Sequence, residues 1–115
     1  MRCRVLWSEQ VEAFVRQHAP EPRRRLWLEI KSLVGWDGRQ APPRIRHLED
    51  SLAGYLRLRV DQARVIFRED FEGGRRAIKC LHAGPRTSVY ETFQELLLDE
   101  LASNVPLAPP RRRRV

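Results

Sequence analysis

Between residues 55 and 90 the chain gathers Arg57, Arg59, Arg64 and Arg86 together with His82 and Tyr90. A guanidinium presents a planar fork of donors that matches a phosphate bidentately, so such a group of arginines is suited to holding an oxyanion. It is not suited to moving a proton. With a pKa above about 12, arginine stays protonated near neutrality and can only stabilise negative charge. His82, with an ordinary pKa of about 6.5, could act as base or acid, and Tyr90 could orient or hydrogen-bond a ligand. Each residue also has a plainer use. Arg57 and Arg59 could solvate an exposed strand face or pair with Glu69 or Asp70, His82 could hydrogen-bond a loop, and Tyr90 could pack under a helix.

The elements that must position these side chains follow from periodicity. In Tyr55-Leu56-Arg57-Leu58-Arg59-Val60 apolar and polar residues alternate, which puts Leu56, Leu58 and Val60 on a core face and Tyr55, Arg57 and Arg59 on the other. Asp61-Gln62 makes a turn into a second strand, Ala63 to Arg68, and the stretch from Glu69 to Gly74 reads as a longer hairpin loop. Arg75 to His82 is the third strand of this antiparallel meander. Ser88-Val89-Tyr90-Glu91 has the form of a capping box and starts a helix through about Leu101.

Upstream, residues 2–7 read as an opening strand that feeds a helix capped by Ser8, with Val11, Phe14, Val15 and His18 at helical spacing. Pro20 ends that helix, Pro22 opens the next, and Gly35 closes it, which gives an antiparallel helix hairpin. Residues 35–43 are too rich in turn formers to be other than a loop. The expected architecture is α+β, with a small antiparallel sheet in the order strand, helix hairpin, three-strand meander, C-terminal helix. Helices cover one face, and the opposite face stays partly open.

The chain has 115 residues and a formal net charge of +7, and of its 22 basic residues only Lys31 and Lys79 are lysines. A GC-rich genome would raise arginine over lysine, but the balance also favours a polyanionic partner such as nucleic acid. Arg57, Arg59 and Lys79 are the expected phosphate contacts on the strands. Residues 1–103 form one domain, and the Pro-rich, basic residues 104–115 read as a disordered tail. There Arg111, Arg112, Arg113 and Arg114 can add salt-sensitive attraction without specifying sequence. Cys3 and Cys80 are too few for a disulfide framework or a zinc site, and no metal or cofactor is expected. Without an apolar leader or a membrane-length apolar run, the expected setting is cytoplasmic. Trp7 and Trp27 read as core and His18 and His47 as surface or packing residues, while loop residue Trp36 is a candidate platform for stacking bases.

The helix hairpin, then Leu52-Ala53-Gly54-Tyr55-Leu56-Arg57-Leu58-Arg59, then Ala63-Arg64-Val65-Ile66-Phe67, then an apolar strand closing on His82-Ala83-Gly84-Pro85-Arg86 and Val89-Tyr90, resembles the RelE/ParE superfamily of bacterial type II toxins. The likeness runs over roughly residues 2–100 and is densest from Gly54 to Tyr90. It implies a microbial-ribonuclease fold and a metal-independent endonuclease that cuts mRNA on the ribosome by attack of a 2′-hydroxyl on the adjacent phosphate. It also implies a cognate antitoxin that holds the toxin inactive. Arg57, Arg64 and Arg86 match the basic positions around the scissile phosphate and Tyr90 matches a substrate-contacting tyrosine, so the expected catalytic set is Arg64, Arg86, Tyr90 and His82. The best-known RelE-type enzyme has two strand lysines where this chain has Tyr55 and Arg57, and its arginine-bearing loop is longer. The resemblance therefore leaves the proton-transfer pair open. Two other outcomes stand beside cleavage: a ParE-like protein that traps DNA gyrase, and a non-toxic co-repressor acting with its antitoxin.

Overall fold

The computed structural model describes residues 3–103, so the tail expected over 104–115, with Arg111 to Arg114, lies outside the described residues. The elements are β1 (Arg4–Trp7), α1 (Glu9–Arg16), α2 (Pro20–Ser32), β2 (Ile45–His47), β3 (Leu56–Val60), β4 (Ala63–Glu72), β5 (Arg75–Pro85) and α3 (Val89–Ser103). They form an α+β fold around one five-stranded sheet in the order β1-β5-β4-β3-β2. The expected meander is its centre. Strand β1 joins β5 in parallel, which makes the sheet mixed where an antiparallel one was expected, and β2 pairs antiparallel with β3.

Local chemistry accounts for most boundaries. Ser8 caps α1, its hydroxyl accepting from the Val11 amide at 3.2 Å and donating to the Leu81 carbonyl at 3.0 Å, which ties the helix start to β5. Pro20 opens α2 and does not end α1 as expected, because at a first helical position its missing N–H and fixed φ cost nothing. Strand β4 runs on to Glu72, so the expected loop from Glu69 shrinks to a two-residue turn. Gly73 and Gly74 take φ of 57° and 79°, the pair of positive values that a twist-matched hairpin turn needs.

The two sheet faces bury different cores. On one, Leu56, Leu58, Val65, Phe67, Ile78 and Cys80 pack against Val11 and Val15 of α1 and Leu26 and Ile30 of α2. On the other, Ile66 packs with Leu52 and with Val89 and Phe93 of α3. The helices therefore do not share a face, contrary to expectation. The helix hairpin already fills the first face, and a bulge in β5 enlarges the apolar patch on the second. Ile66 pairs with His82 but Phe67 pairs with Cys80, so Leu81 is an extra residue, and both Leu81 and His82 turn toward α3. That face stays open beside α3, where β2 and β3 carry their arginines.

Candidate functional site

The open part of the second face is a cleft of about 470 Å³, lined by Arg46, Arg57, Arg64, Arg86 and Tyr90 and by Leu48, Glu49, Asp50 and Leu52. Its size is that of a small-ligand site. A larger, apolar groove of about 610 Å³ lies along α1, α2 and the β3–β4 turn, but no guanidinium lines it.

Sheet register builds the cationic wall. Arg46 of β2 lies directly opposite Arg57 of β3, and Arg59 of β3 lies directly opposite Arg64 of β4. Like charges placed opposite each other across a ladder repel, so each pair works against the sheet. Among the described residues none of Arg46, Arg57, Arg59, Arg64 or Arg86 has a carboxylate within ion-pair distance. The far end of the same sheet is different. There Arg76 pairs with Glu69, Arg4 with Glu72 at 2.6 Å, and Lys79 with Asp70 at 3.0 Å and Glu72 at 2.8 Å. Glu69 and Asp70, the expected partners of Arg57 or Arg59, are thus engaged elsewhere, and Lys79 is held by Asp70 and Glu72 outside the cleft.

Backbone carbonyls hold two of the arginines in place. Arg64, only 9% exposed, donates from Nη1 to the carbonyls of Asp61 at 2.9 Å and Ala63 at 2.8 Å, which locks its side chain over the β3–β4 turn. Arg57, 6% exposed, donates to the Arg44 carbonyl at 3.2 Å. Burial pushes the Arg57 pKa below its ordinary value; a charged Tyr90 would oppose this, while the guanidiniums of Arg46, Arg64 and Arg59 push it down further. A bound anion would offset these effects by favouring the charged guanidinium. Arg86 is exposed, and its backbone amide donates to the Gln62 carbonyl at 2.8 Å, which fixes the start of the loop leading to Tyr90. Tyr90 stands partly buried in the first turn of α3 against the second core.

His82 lies behind this cleft and does not line it. It is 7% exposed, opposite Ile66, with its ring stacked at 6.0 Å on Phe93, and burial lowers its pKa. Trp36 is structural: its Nε1 donates to the Gln40 carbonyl at 2.7 Å and its ring meets the edge of Phe67 on the opposite face. Trp7 and Trp27 are in ring contact at 5.1 Å, and the His18 ring meets Phe14. Sequence reasoning missed Arg46, Glu49 and Asp50, all contributed by β2 and the turn after it. No periodic signal marked them, since Ile45-Arg46-His47 is too short to alternate and only Ile45 is buried. Among the described residues nothing pairs with the side chains of Glu49 or Asp50, and Asp50 adopts a left-handed φ of 55°, uncommon for a residue with a side chain. No three His, Cys, Asp or Glu side chains gather as a metal would require among the described residues.

This geometry can bind a phosphodiester, stabilise extra charge on it, and offer a carboxylate and a phenol as proton-transfer groups. No family model matches the sequence, and no curated protein sequence matches it significantly. Solved structures do. The chain is similar to the archaeal RelE–RelB complex of Pyrococcus horikoshii, at 26% identity and a TM-score of 0.54 over 75% of this chain and 97% of that one. It is similar to the YoeB/ParE toxin of Agrobacterium tumefaciens, at 15% identity and a TM-score of 0.56 over 74% and 98%. It is also similar to the toxin–antitoxin complex RelBE2 of Mycobacterium tuberculosis, at 15% identity and a TM-score of 0.53 over 75% and 100%. The fold is that of RelE/ParE superfamily toxins, as the sequence resemblance implies.

Proposed function

We propose that this protein is the toxin of a type II toxin–antitoxin pair and that its cleft cleaves mRNA on the ribosome. The observation that carries the reading is the opposed couple of Arg46 and Arg57 together with Arg64, left without carboxylate partners among the described residues beside Arg86 and Tyr90. A fold that tolerates such repulsion in a cleft of ligand size is organised around an anion.

In the reaction the 2′-oxygen forms a bond to the adjacent phosphorus while the bond from phosphorus to the 5′-oxygen breaks. The products are a 2′,3′-cyclic phosphate and a 5′-hydroxyl. Arg57, Arg64 and Arg86 stabilise the added charge on the phosphorane, the task for which permanently protonated groups are suited. The 2′-proton goes to a carboxylate that lines the cleft, Glu49 or Asp50, and Tyr90 orients the nucleotide and supplies a proton toward the leaving oxygen. His82, expected to share proton transfer with Tyr90, is given no direct step because it does not line the cleft. The cognate antitoxin is the protein partner, mRNA and ribosome are the substrate assembly, and the cytoplasm is where they meet.

Brief induction in bacterial cells without an antitoxin, followed by mapping of mRNA 5′ ends, tests this. New 5′-hydroxyl ends that vanish in Arg86→Ala are expected. DNA-damage signalling without new ends would move the protein to the gyrase-trapping group. Undisturbed growth would leave it a co-repressor.

A further inference from the structure

A second cleft of about 480 Å³ adjoins the first and shares Arg64 and Arg86 with it. Its other cations are Arg25, Arg44 and Arg59. Of these, Arg59 is exposed and lacks a carboxylate partner among the described residues, while Arg25 pairs with Asp61 at 3.4 Å and Arg44 with Glu29 at 3.3 Å. Exposed pairs of that length hold weakly and can be exchanged for a phosphate.

Resting on the reading of the first cleft as a phosphodiester site, we propose that the second cleft binds the neighbouring phosphate of the same strand. The two then form one track for single-stranded RNA, with Arg59 as its selective contact. Strand geometry sets the spacing. Arg57 and Arg59 are two residues apart on one face of β3, and two residues advance about 6.8 Å, close to the separation of successive phosphates in an extended nucleic-acid strand. The shape of the track selects the kind of strand. It starts on the α3 face at Tyr90 and passes the β3–β4 turn at Asp61 and Gln62. It ends beside Arg25 and Glu29 of α2, which packs on the other face. A path that bends around the sheet margin within a few residues suits a flexible single strand. A duplex, stiff over about 150 base pairs, cannot follow it.

The test titrates the full-length protein, by NMR, with uncleavable 2′-deoxy-substituted probes: a dinucleoside monophosphate and a trinucleoside diphosphate. Wild type is expected to bind the second about tenfold more tightly. Arg59→Ala should erase that step, affect the one-phosphate probe little, and reduce the slope of log affinity against log salt by about 0.7 for the longer probe. Arg59→Lys should keep most of the step. Equal weakening of both probes by Arg59→Ala, no weakening of either, or tighter binding of a short duplex than of a single strand would overturn the track. If Arg64→Ala and Arg86→Ala also bind the one-phosphate probe as wild type does, the reading of the first cleft falls, and the track with it. If they lose that binding while Arg59→Ala behaves as wild type, only the track falls.

Discussion

Arg64 has two tasks that a single substitution cannot separate. Its Nη1 satisfies the Asp61 and Ala63 carbonyls, and its charge faces the cleft. Leaving a buried acceptor such as the Ala63 carbonyl unpaired costs about 1–3 kcal/mol, so Arg64→Ala should lower the melting temperature measurably as well as abolish activity. Arg86 is the cleaner probe, because its exposed side chain makes no hydrogen bond among the described residues, and its amide contact to Gln62 survives truncation. Arg86→Ala should keep the wild-type melting temperature and cut the cleavage rate on the order of a hundredfold, as expected for removal of one transition-state donor. His82 gives a separate reading through pH. Burial holds its folded pKa below the unfolded value near 6.5, so the unfolded chain binds the extra proton first. Its contribution is intact above about pH 6.5 and is lost as pH falls from there through the folded pKa. His82→Gln should flatten that part of the stability–pH curve in urea titrations, and an unchanged curve would place the acid sensitivity elsewhere.

At the scale of elements, the meander is specified by backbone chemistry that single changes can probe. Gly73 and Gly74 both sit at positive φ with nothing near the place a Cβ would occupy, so any penalty there is conformational and not steric. Alanine at either position should cost about 1–2 kcal/mol, and asparagine less, in chemical denaturation. The alternation from Leu56 to Val60, the Ser8 cap and the apolar spacing of α1 made the sheet centre and the helix hairpin legible in the chain, since each signal is local. Strand β2 was not legible. Three residues offer too short a period, and Ile45 is its only buried residue. Its pairing depends on a return from a proline-rich loop, and with it went Arg46, Glu49 and Asp50. The side on which α3 packs was equally hidden. It depends on an extra residue, Leu81, visible only once β4 and β5 are in register. The arginine positions were readable because strand parity places them; the absence of compensating acids was not, because ion pairing is set between strands.

For the molecule as a whole, charge is distributed unevenly. Among the described residues Arg46, Arg57, Arg59, Arg64 and Arg86 have no carboxylate partner around two joined clefts, while α3 carries Glu91, Glu95, Asp99 and Glu100 with no cation of its own. The four arginines of residues 111–114 account for four units of the net charge of +7, so a chain ending at residue 103 keeps +3. If those arginines act only as a diffuse attractor, they should matter at low salt and be screened at high salt, because the Debye length shrinks from about 30 Å at 0.01 M to about 8 Å at 0.15 M. Each phosphate neutralised on a single strand contributes about 0.7 to the salt slope, so truncation should lower the slope by up to about three. The affinities of the two chains should converge near physiological salt, with the cleft arginines setting what remains. Arg86→Ala should show the opposite pattern, a loss that persists at high salt because cleft contacts are directional and partly desolvated. Anisotropy measured with one single-stranded RNA across a salt series separates these contributions. A truncated chain that binds as weakly at high salt as Arg86→Ala would assign the tail a specific contact and not a steering field.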